Sequence, residues 1–485
     1  MRVLPLSLLV ATTAQGQPGS TPYTLDLGLT IAGTATRNDP DTTLDLTTDG
    51  TEWDVDGLLR PRERQRYPSM ALRLGAEAQP TPGLLLRGLV DTGEIRPGRT
   101  LDPPEDGPTS QGLPLDEAAG EGLFLREAVI GFVGQSASIE LGRRRSEVAG
   151  GLVWADSGTG AAAEVDLVDL RGGPLRLEAQ AVLVGRLFSD LEAGSTLAAL
   201  RVDIPVSWFE GIAPFVALWS DRGGAVADIL ASAATETVIV DNGAAVAQSL
   251  LDGLASATQP RRARLLYLGA DGTLLPLTGM SLRGTGVAQV GEATMQISSS
   301  DATTPNDPTT FRLRGWAAAL EAHKGLGQRW DVGALGFALS GDRGPRIDRV
   351  ESGYASFIAP APYWDWSGLF FSGGLSQGFY PSRASAAGIN GHGVAGVGPI
   401  VSWQGNRPSV EWRAVWLRAI ADAPPPPLGG GGATYGVEID LRADWPVADT
   451  ITLAGEVDVL IPGTYFPQDD PALRIIALLD LHNAP

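Results

Sequence analysis

Near the end of the chain the sequence reads Val437-Glu438-Ile439-Asp440-Leu441-Arg442-Ala443-Asp444, with apolar residues at the odd positions and charged residues at the even ones. Successive side chains of a β-strand point to opposite faces of a sheet. This stretch therefore predicts a strand with one apolar face and one charged face. Residues 450–459 repeat the pattern, with Val457 on the apolar face and Glu456 on the charged face.

Similar alternation recurs along the chain in stretches of about ten residues, the length that crosses a bilayer at a tilt and longer than the strands of most soluble sheets. Bacterial barrels of one chain contain an even number of strands. The pattern predicts an all-β fold, a single transmembrane antiparallel β-barrel of about 18 strands. The candidate strands are residues 23–34, 69–79, 84–95, 123–133, 136–143, 163–170, 174–188, 196–206, 212–220, 263–269, 281–290, 311–321, 329–340, 367–377, 393–403, 409–419, 434–444, 450–459 and 473–481.

A soluble β-sandwich shows the same alternation, because its apolar faces pack against each other in a dry interior. Strand length favours the barrel over this alternative. Extraction from membranes only by detergent would exclude the sandwich.

Composition agrees with many strands joined by turns, since the 485 residues include 62 glycines and 35 prolines and only 19% are charged. The chain has no cysteine, which excludes a thiol enzyme, a zinc-thiolate protein and an iron-sulfur protein. The formal net charge of −20 disfavours binding to nucleic acid, because that requires clustered positive charge.

The N-terminus has the pattern of an export signal. Arg2 precedes a short apolar run over residues 3–11, and small residues follow it. We expect residues 1–16 to be a signal peptide and residues 17–485 to form the outer-membrane barrel. No later stretch reaches the ~18 uninterrupted apolar residues of a transmembrane helix, so a membrane location requires a closed sheet.

Long segments separate some of the predicted strands and short ones separate others, as expected for a barrel with long external loops and short periplasmic turns. Within residues 220–262, the part near 225–257 has apolar residues at mixed helical spacing, which predicts a helical insertion over or inside the pore. The long segments are residues 39–68, 95–121, 220–262, 298–310, 341–366 and 422–433.

Two groups of motifs resemble a known family. Residues 125–128 (Leu-Arg-Glu-Ala), 140–145 (Glu-Leu-Gly-Arg-Arg-Arg) and 151–156 (Gly-Leu-Val-Trp-Ala-Asp) are similar to a hairpin of the bacterial alginate-export porins. Residues 436–441, 453–456 and 461–466 are similar to the closing strands and the P-G-x-x-[FY] loop of that family. The resemblance implies an eighteen-stranded outer-membrane barrel that passes an anionic polysaccharide through an arginine-lined constriction.

Candidate pore-lining residues follow from the alternation and, for the arginines at 143–145, from the family motif. A guanidinium stays ionised and its fork matches carboxylate or sulfate oxygens. In the alternative interpretation the arginines pair with nearby carboxylates in the wall and select nothing. The candidates are Arg126, Arg143, Arg144, Arg145, Arg176, Arg201, Arg312, Arg314, Arg413, Glu438, Asp440 and Arg442.

These features predict a passive channel of the bacterial outer membrane that passes small solutes or an exported anionic polysaccharide. The main alternative is a plugged barrel that anchors an envelope or surface complex through periplasmic or surface protein partners. Catalysis is not expected, because His323, His392 and His482 lie far apart and have no serine or carboxylate motif beside them. We expect no cofactor and no metal, and the surrounding lipid of the outer membrane as a partner.

Overall fold

The computed structural model describes residues 23–39, 62–92, 113–114, 124–170, 173–184, 194–206, 209–242, 262–277, 279–295, 309–344, 351–364, 366–367, 369, 384–422, 430–466 and 470–482. The predicted signal peptide, residues 1–16, lies outside this part of the chain.

Strands dominate the described residues. One helix, α1 (Ala225–Asn242), accompanies them, and a short 3-10 turn occupies Ile389–Gly391. The strands are β1 (Tyr23–Asp39), β2 (Arg62–Thr81), β3 (Leu84–Asp91), β4 (Leu113–Pro114), β5 (Phe124–Val133), β6 (Ala137–Val148), β7 (Trp154–Leu170), β8 (Gly173–Leu183), β9 (Thr196–Val206), β10 (Phe209–Asp221), β11 (Arg262–Leu277), β12 (Met280–Met295), β13 (Thr309–Leu326), β14 (Trp330–Leu339), β15 (Glu351–Tyr354), β16 (Ile358–Ala359), β17 (Ser385–Ala386), β18 (Val394–Gln404), β19 (Ser409–Arg418), β20 (Thr434–Ala448), β21 (Ile451–Pro462) and β22 (Ala472–His482).

Eighteen of these strands form one closed antiparallel barrel, as the sequence predicts. Each barrel strand pairs with its neighbours in chain order, and β22 pairs with β1 through partners such as Leu481 and Leu29. Closure leaves the barrel without a free edge and pairs the backbone groups of every wall strand. The short strands β4 and β15 attach to β5 and β13, and β16 pairs only with β17.

The connections between barrel strands alternate in length around the barrel. Eight of them are two to four residues long, for example residues 82–83 and 449–450, and they share one end of the barrel. The other end carries the longer connections, including the one that contains α1. We call these ends the short-turn end and the long-loop end, and by the usual arrangement of such barrels the long-loop end is external.

The two faces of the wall differ as the alternation predicts. On β21, Leu453 and Ile461 are 44% and 49% exposed, whereas Glu456 and Asp458 are buried on the inner side. Exposed apolar side chains line the outside of most barrel strands, including Leu74, Phe132 and Leu320. An apolar belt of this extent is stable against lipid and not against water. The chain is therefore a β-barrel of the bacterial outer membrane.

The structure bears on two predictions about individual elements, the strand at 367–377 and the helical insertion near 225–257. The candidate strand at 367–377 is not a barrel strand, because its described residues Ser367 and Leu369 have no strand structure and β14 pairs directly with β18. The remaining residues of that candidate strand lie outside the described part of the chain. The helical insertion is confirmed as α1 over residues 225–242, while residues 243–257 are not described.

Within the described residues, no helix combines the length and the apolar run that a membrane-crossing helix needs.

Candidate functional site

A segment of the connection between β14 and β18 crosses the barrel interior. We call its described residues, 355–364, 366–367 and 369, the crossing segment. Ala155 of β7 donates its N–H to Ala361 (2.9 Å), and the Tyr267 hydroxyl of β11 donates to the Ile358 carbonyl (2.9 Å). The Leu369 N–H donates to the carboxylate of Glu438 on β20. Since β7 and β20 lie on nearly opposite sides of the barrel, the crossing segment spans the lumen.

The crossing segment packs into an apolar core at the long-loop end. Trp366 stacks on Phe337 of the wall with a centroid separation of 4.2 Å, and the Trp364 indole N–H donates to the Leu152 carbonyl (3.3 Å). Helix α1 adds the buried Val226 and Leu230 to the same core. This part of the lumen is packed like the interior of a soluble domain.

The N-terminus of α1 is held by Asp221, the last residue of β10. One carboxylate oxygen accepts from the N–H groups of Gly223 (3.0 Å) and Gly224 (3.1 Å), and the other accepts from Val226 (2.8 Å). The first N–H groups of a helix have no partner inside the helix, so a carboxylate at this position stabilises it. Asp221 thereby fixes α1 to the barrel wall.

We expect Asp221→Ala to destabilise α1 by about 1 to 2 kcal/mol, because several N–H groups lose their acceptor. Hydrogen exchange of residues 225–234 would show the loss as faster exchange. Asp228→Ala is the matched control, since it removes an exposed acid from the first turn without touching these three bonds. Equal acceleration in both variants would contradict the capping role.

Toward the short-turn end, the inner wall of β8 to β12 forms a recess of about 690 Å³. Three arginines and two carboxylates face it. The arginines are Arg176, Arg201 and Arg283, and the carboxylates are Asp203 and Asp271. The recess is thus a polar, charged part of the lumen, in contrast to the apolar core at the other end.

The arginines around the recess are paired with acids. Arg176 Nε lies 2.8 Å from both Glu164 and Asp166. Arg201 contacts Asp203 at 2.8 Å and Asp271 at 3.4 Å.

On the adjoining strands β3 to β8, Arg144 contacts Glu140 (2.9 Å) and Glu178 (3.9 Å), and Arg87 contacts Glu127 (2.6 Å). We call this side the recess band. Its charged residues are Arg87, Arg144, Arg176, Arg201, Arg283, Glu127, Glu140, Glu164, Asp166, Glu178, Asp203 and Asp271.

On the other side of the barrel, β19 to β22 carry a second group, which we call the far band. Arg474 lies 3.0 Å from Glu456 and 2.8 Å from Asp458, and all three are buried. Glu438 and Asp440 lie buried on the neighbouring strand, and Asp440 is the cross-strand partner of Asp458. The far band consists of Glu411, Arg413, Glu438, Asp440, Arg442, Asp444, Glu456, Asp458 and Arg474.

Several candidate pore-lining residues lie in these bands. Arg144, Arg176 and Arg201 belong to the recess band, and Arg413, Glu438, Asp440 and Arg442 belong to the far band. Glu438 is covered by the crossing segment and has no exposed surface. Arg126 and Arg143 are buried in the wall, where Arg143 Nε donates to the Leu125 carbonyl (2.8 Å).

The structure corrects three of the candidates. Arg312 and Arg314 are exposed and share the outward face of β13 with Trp316. The alternation misleads there because the inward residues Phe311 and Leu313 are also apolar and pack into the lumen core. Arg145 is exposed and alternates with the inward Arg144 and Ser146, so it also points away from the lumen.

Sequence reasoning missed several charged residues of the inner wall. Arg87, Arg283 and Arg474 fall within candidate strands, at positions opposite apolar outward residues, and Asp271 lies two residues beyond the candidate strand at 263–269. Applying the parity of the best-defined strands to every candidate strand would have found the three arginines, and Asp271 would have required a longer strand than 263–269. Among the described residues, no group of three histidine, aspartate or glutamate side chains has the arrangement of a metal site.

Comparisons with known proteins give structural likenesses only. No family model matches the chain and no curated protein matches it, so the resemblance to the alginate-export family stays a prediction.

The chain is similar to the solved structure of OccAB4 of Acinetobacter baumannii, at 10% identity over 94% of this chain and 97% of that one with a TM-score of 0.49. It is also similar to the outer membrane protein OprD of Pseudomonas aeruginosa (9% identity, 98% and 97% covered, TM-score 0.49). A third similar structure is a BenF-like porin of Pseudomonas fluorescens (10%, 95% and 98%, 0.49). The function proposed below rests on the charges and contacts of this chain.

Proposed function

We propose that this barrel is a passive channel for small solutes and that it favours cations. The observation that carries the proposal is the excess of carboxylates on the inner wall. The recess band has five arginines and seven carboxylates. In the far band, six carboxylates outnumber three arginines, but Glu438, Asp440, Glu456 and Asp458 are buried, so the recess band carries the water-facing excess. Acidic side chains along a water-filled pore attract cations and repel anions.

The pairing of the arginines supports the same selectivity. Arg176 and Arg201 each contact two carboxylates, so little positive charge remains to attract an anion in the recess. These arginines hold the acidic wall together more than they select a solute. The open recess leaves room for a small hydrated solute beside them.

Reconstitution in planar lipid bilayers tests the proposal. Under a KCl gradient we expect a reversal potential that shows K⁺ to be more permeant than Cl⁻. Asp203→Asn with Asp271→Asn should shift the permeability ratio toward Cl⁻ by about twofold, because both acids face the recess beside Arg201.

Glu292→Gln is the matched control, because it removes one acid from the exposed outer face of β12 and should leave the ratio unchanged. A wild-type channel that prefers Cl⁻ would refute the cation preference. That result would favour the export of an anionic polysaccharide, which the resemblance to the alginate-export porins implies.

A plugged barrel that anchors an envelope complex is the second candidate function. The apolar core at the long-loop end favours it, because Trp364, Trp366 and Leu230 fill part of the lumen with closely packed side chains. Absence of conductance in the reconstituted wild-type protein, together with a co-purifying protein partner, would support this alternative. We propose the channel first because the charged recess has no use in a sealed anchor.

A further inference from the structure

The outer face of three neighbouring strands carries a group of arginines that a channel does not need. Arg262 and Arg264 lie at the start of β11, and Arg312 and Arg314 lie near the start of β13. Glu292 of β12 lies between them. All five residues are exposed, and we call them the outer arginine patch.

Alternation along the strands shows that the patch points away from the lumen. Arg312 and Arg314 share their face of β13 with Trp316 and Leu320, which are 47% and 50% exposed. Arg264 shares its face of β11 with the exposed Leu268. The inward neighbours on β13, such as Leu313, are buried in the lumen core.

Strand register brings the patch to one height on the wall. Arg264 is the cross-strand partner of Glu292, and Glu292 is the partner of Arg312. Arg314 lies opposite Val290, one step further from the loops. Four guanidinium groups and one carboxylate therefore meet on a small area of three adjacent strands.

The patch lies where the membrane meets external water. Below Arg314, the outward residues of β13 are uncharged until Lys324. The ten residue steps from Arg314 to Lys324 span about 26 Å of height at ~3.4 Å per residue and a ~40° tilt, close to the height of the apolar band of such barrels. Since the patch is at the long-loop end of this band, it borders the outer leaflet.

We propose that the outer arginine patch binds the phosphate-bearing headgroup of an outer-leaflet lipid. A guanidinium donates two parallel hydrogen bonds to phosphate oxygens and remains charged at any relevant pH. Next to the patch, the outward residues Ala288, Gly286 and Gly284 of β12 are small and leave space for an acyl chain against the wall. The headgroup would bind at the arginines while its chains lie in the apolar band.

Native mass spectrometry of the whole barrel in detergent, titrated with diphosphorylated lipid A, tests the proposal. We expect the variant Arg264→Gln with Arg314→Gln to bind this lipid on the order of tenfold more weakly than the wild type. Arg418→Gln is the matched control, because Arg418 is an exposed arginine at the same end of β19 that shares the outward face of Trp416. This control should bind as the wild type does.

Further arms separate the sources of phosphate. Phosphatidylcholine should bind equally to wild type and variant, because the choline cation offsets the charge of its single phosphate. Inorganic phosphate should not compete with lipid A at equal concentration. Heat-modifiable migration on gels confirms that each variant is folded. Unchanged lipid A binding in the folded double variant would overturn the proposal, and so would displacement of lipid A by equimolar inorganic phosphate.

Discussion

Replacing Arg474 by glutamine is expected to lower the free energy of unfolding of the barrel by about 3 to 5 kcal/mol. Arg474 is the cation between the buried carboxylates of Glu456 and Asp458, with Asp440 on the next strand. Removal of one partner from a buried ion pair leaves its charges uncompensated. Urea unfolding of the protein folded into lipid vesicles measures the change.

Arg413→Gln provides the matched control for this prediction. Arg413 pairs with Glu411 at 2.7 Å, but both side chains are partly exposed to lumen water, so the expected loss is about 1 kcal/mol or less. Adding Asp458→Asn to Arg474→Gln should restore part of the stability, because one unpaired charge is removed. Equal losses in the two arginine variants would show that burial of the Arg474 cluster contributes nothing.

Removal of the crossing segment is expected to increase the single-channel conductance severalfold. Leu339 and Val394 are cross-strand partners, so a short glycine-serine linker can join β14 to β18 in place of residues 341–392. The linker deletes the residues that span the lumen from β7 to β20 and leaves the barrel pairing intact. Barrels of this strand number enclose an aqueous channel once nothing fills them.

Single-channel recording of wild type and deletion variant, side by side, measures the effect. Heat-modifiable migration verifies that the shortened barrel is closed. An unchanged conductance in a closed barrel would mean that the crossing segment does not limit the path for ions. The apolar core at the long-loop end would then have no role in permeation.

The wall of the barrel was predictable from sequence because one face of each strand meets lipid and the other face meets the lumen. Polarity alternates from one residue to the next along a wall strand, as between Val457 and Asp458. This local pattern identified the eighteen barrel strands. The alternating short and long connections followed from the same pattern. The helix α1 was also predictable, because its apolar residues break the two-residue period.

The contents of the lumen were not predictable from alternation. Where the crossing segment packs on the wall, inward residues such as Phe311 and Leu313 are as apolar as lipid-facing ones, so the faces of Arg312 and Arg314 were assigned wrongly. Apolar residues of the crossing segment itself, such as Leu369, imitate a strand. The cover over Glu438 arises from a contact between residues 69 positions apart, which no local pattern reveals.

Chemical labelling of single cysteines on β9 tests most directly whether the apolar faces meet lipid and the charged faces meet enclosed water. The chain has no cysteine of its own, so each introduced thiol is the only one. Arg201→Cys and Asp203→Cys, which line the recess, should react with a charged, water-soluble reagent, whereas Ala198→Cys and Leu200→Cys should react only with a lipid-soluble one. Labelling without this two-residue period, or with the faces reversed, would contradict the barrel described above.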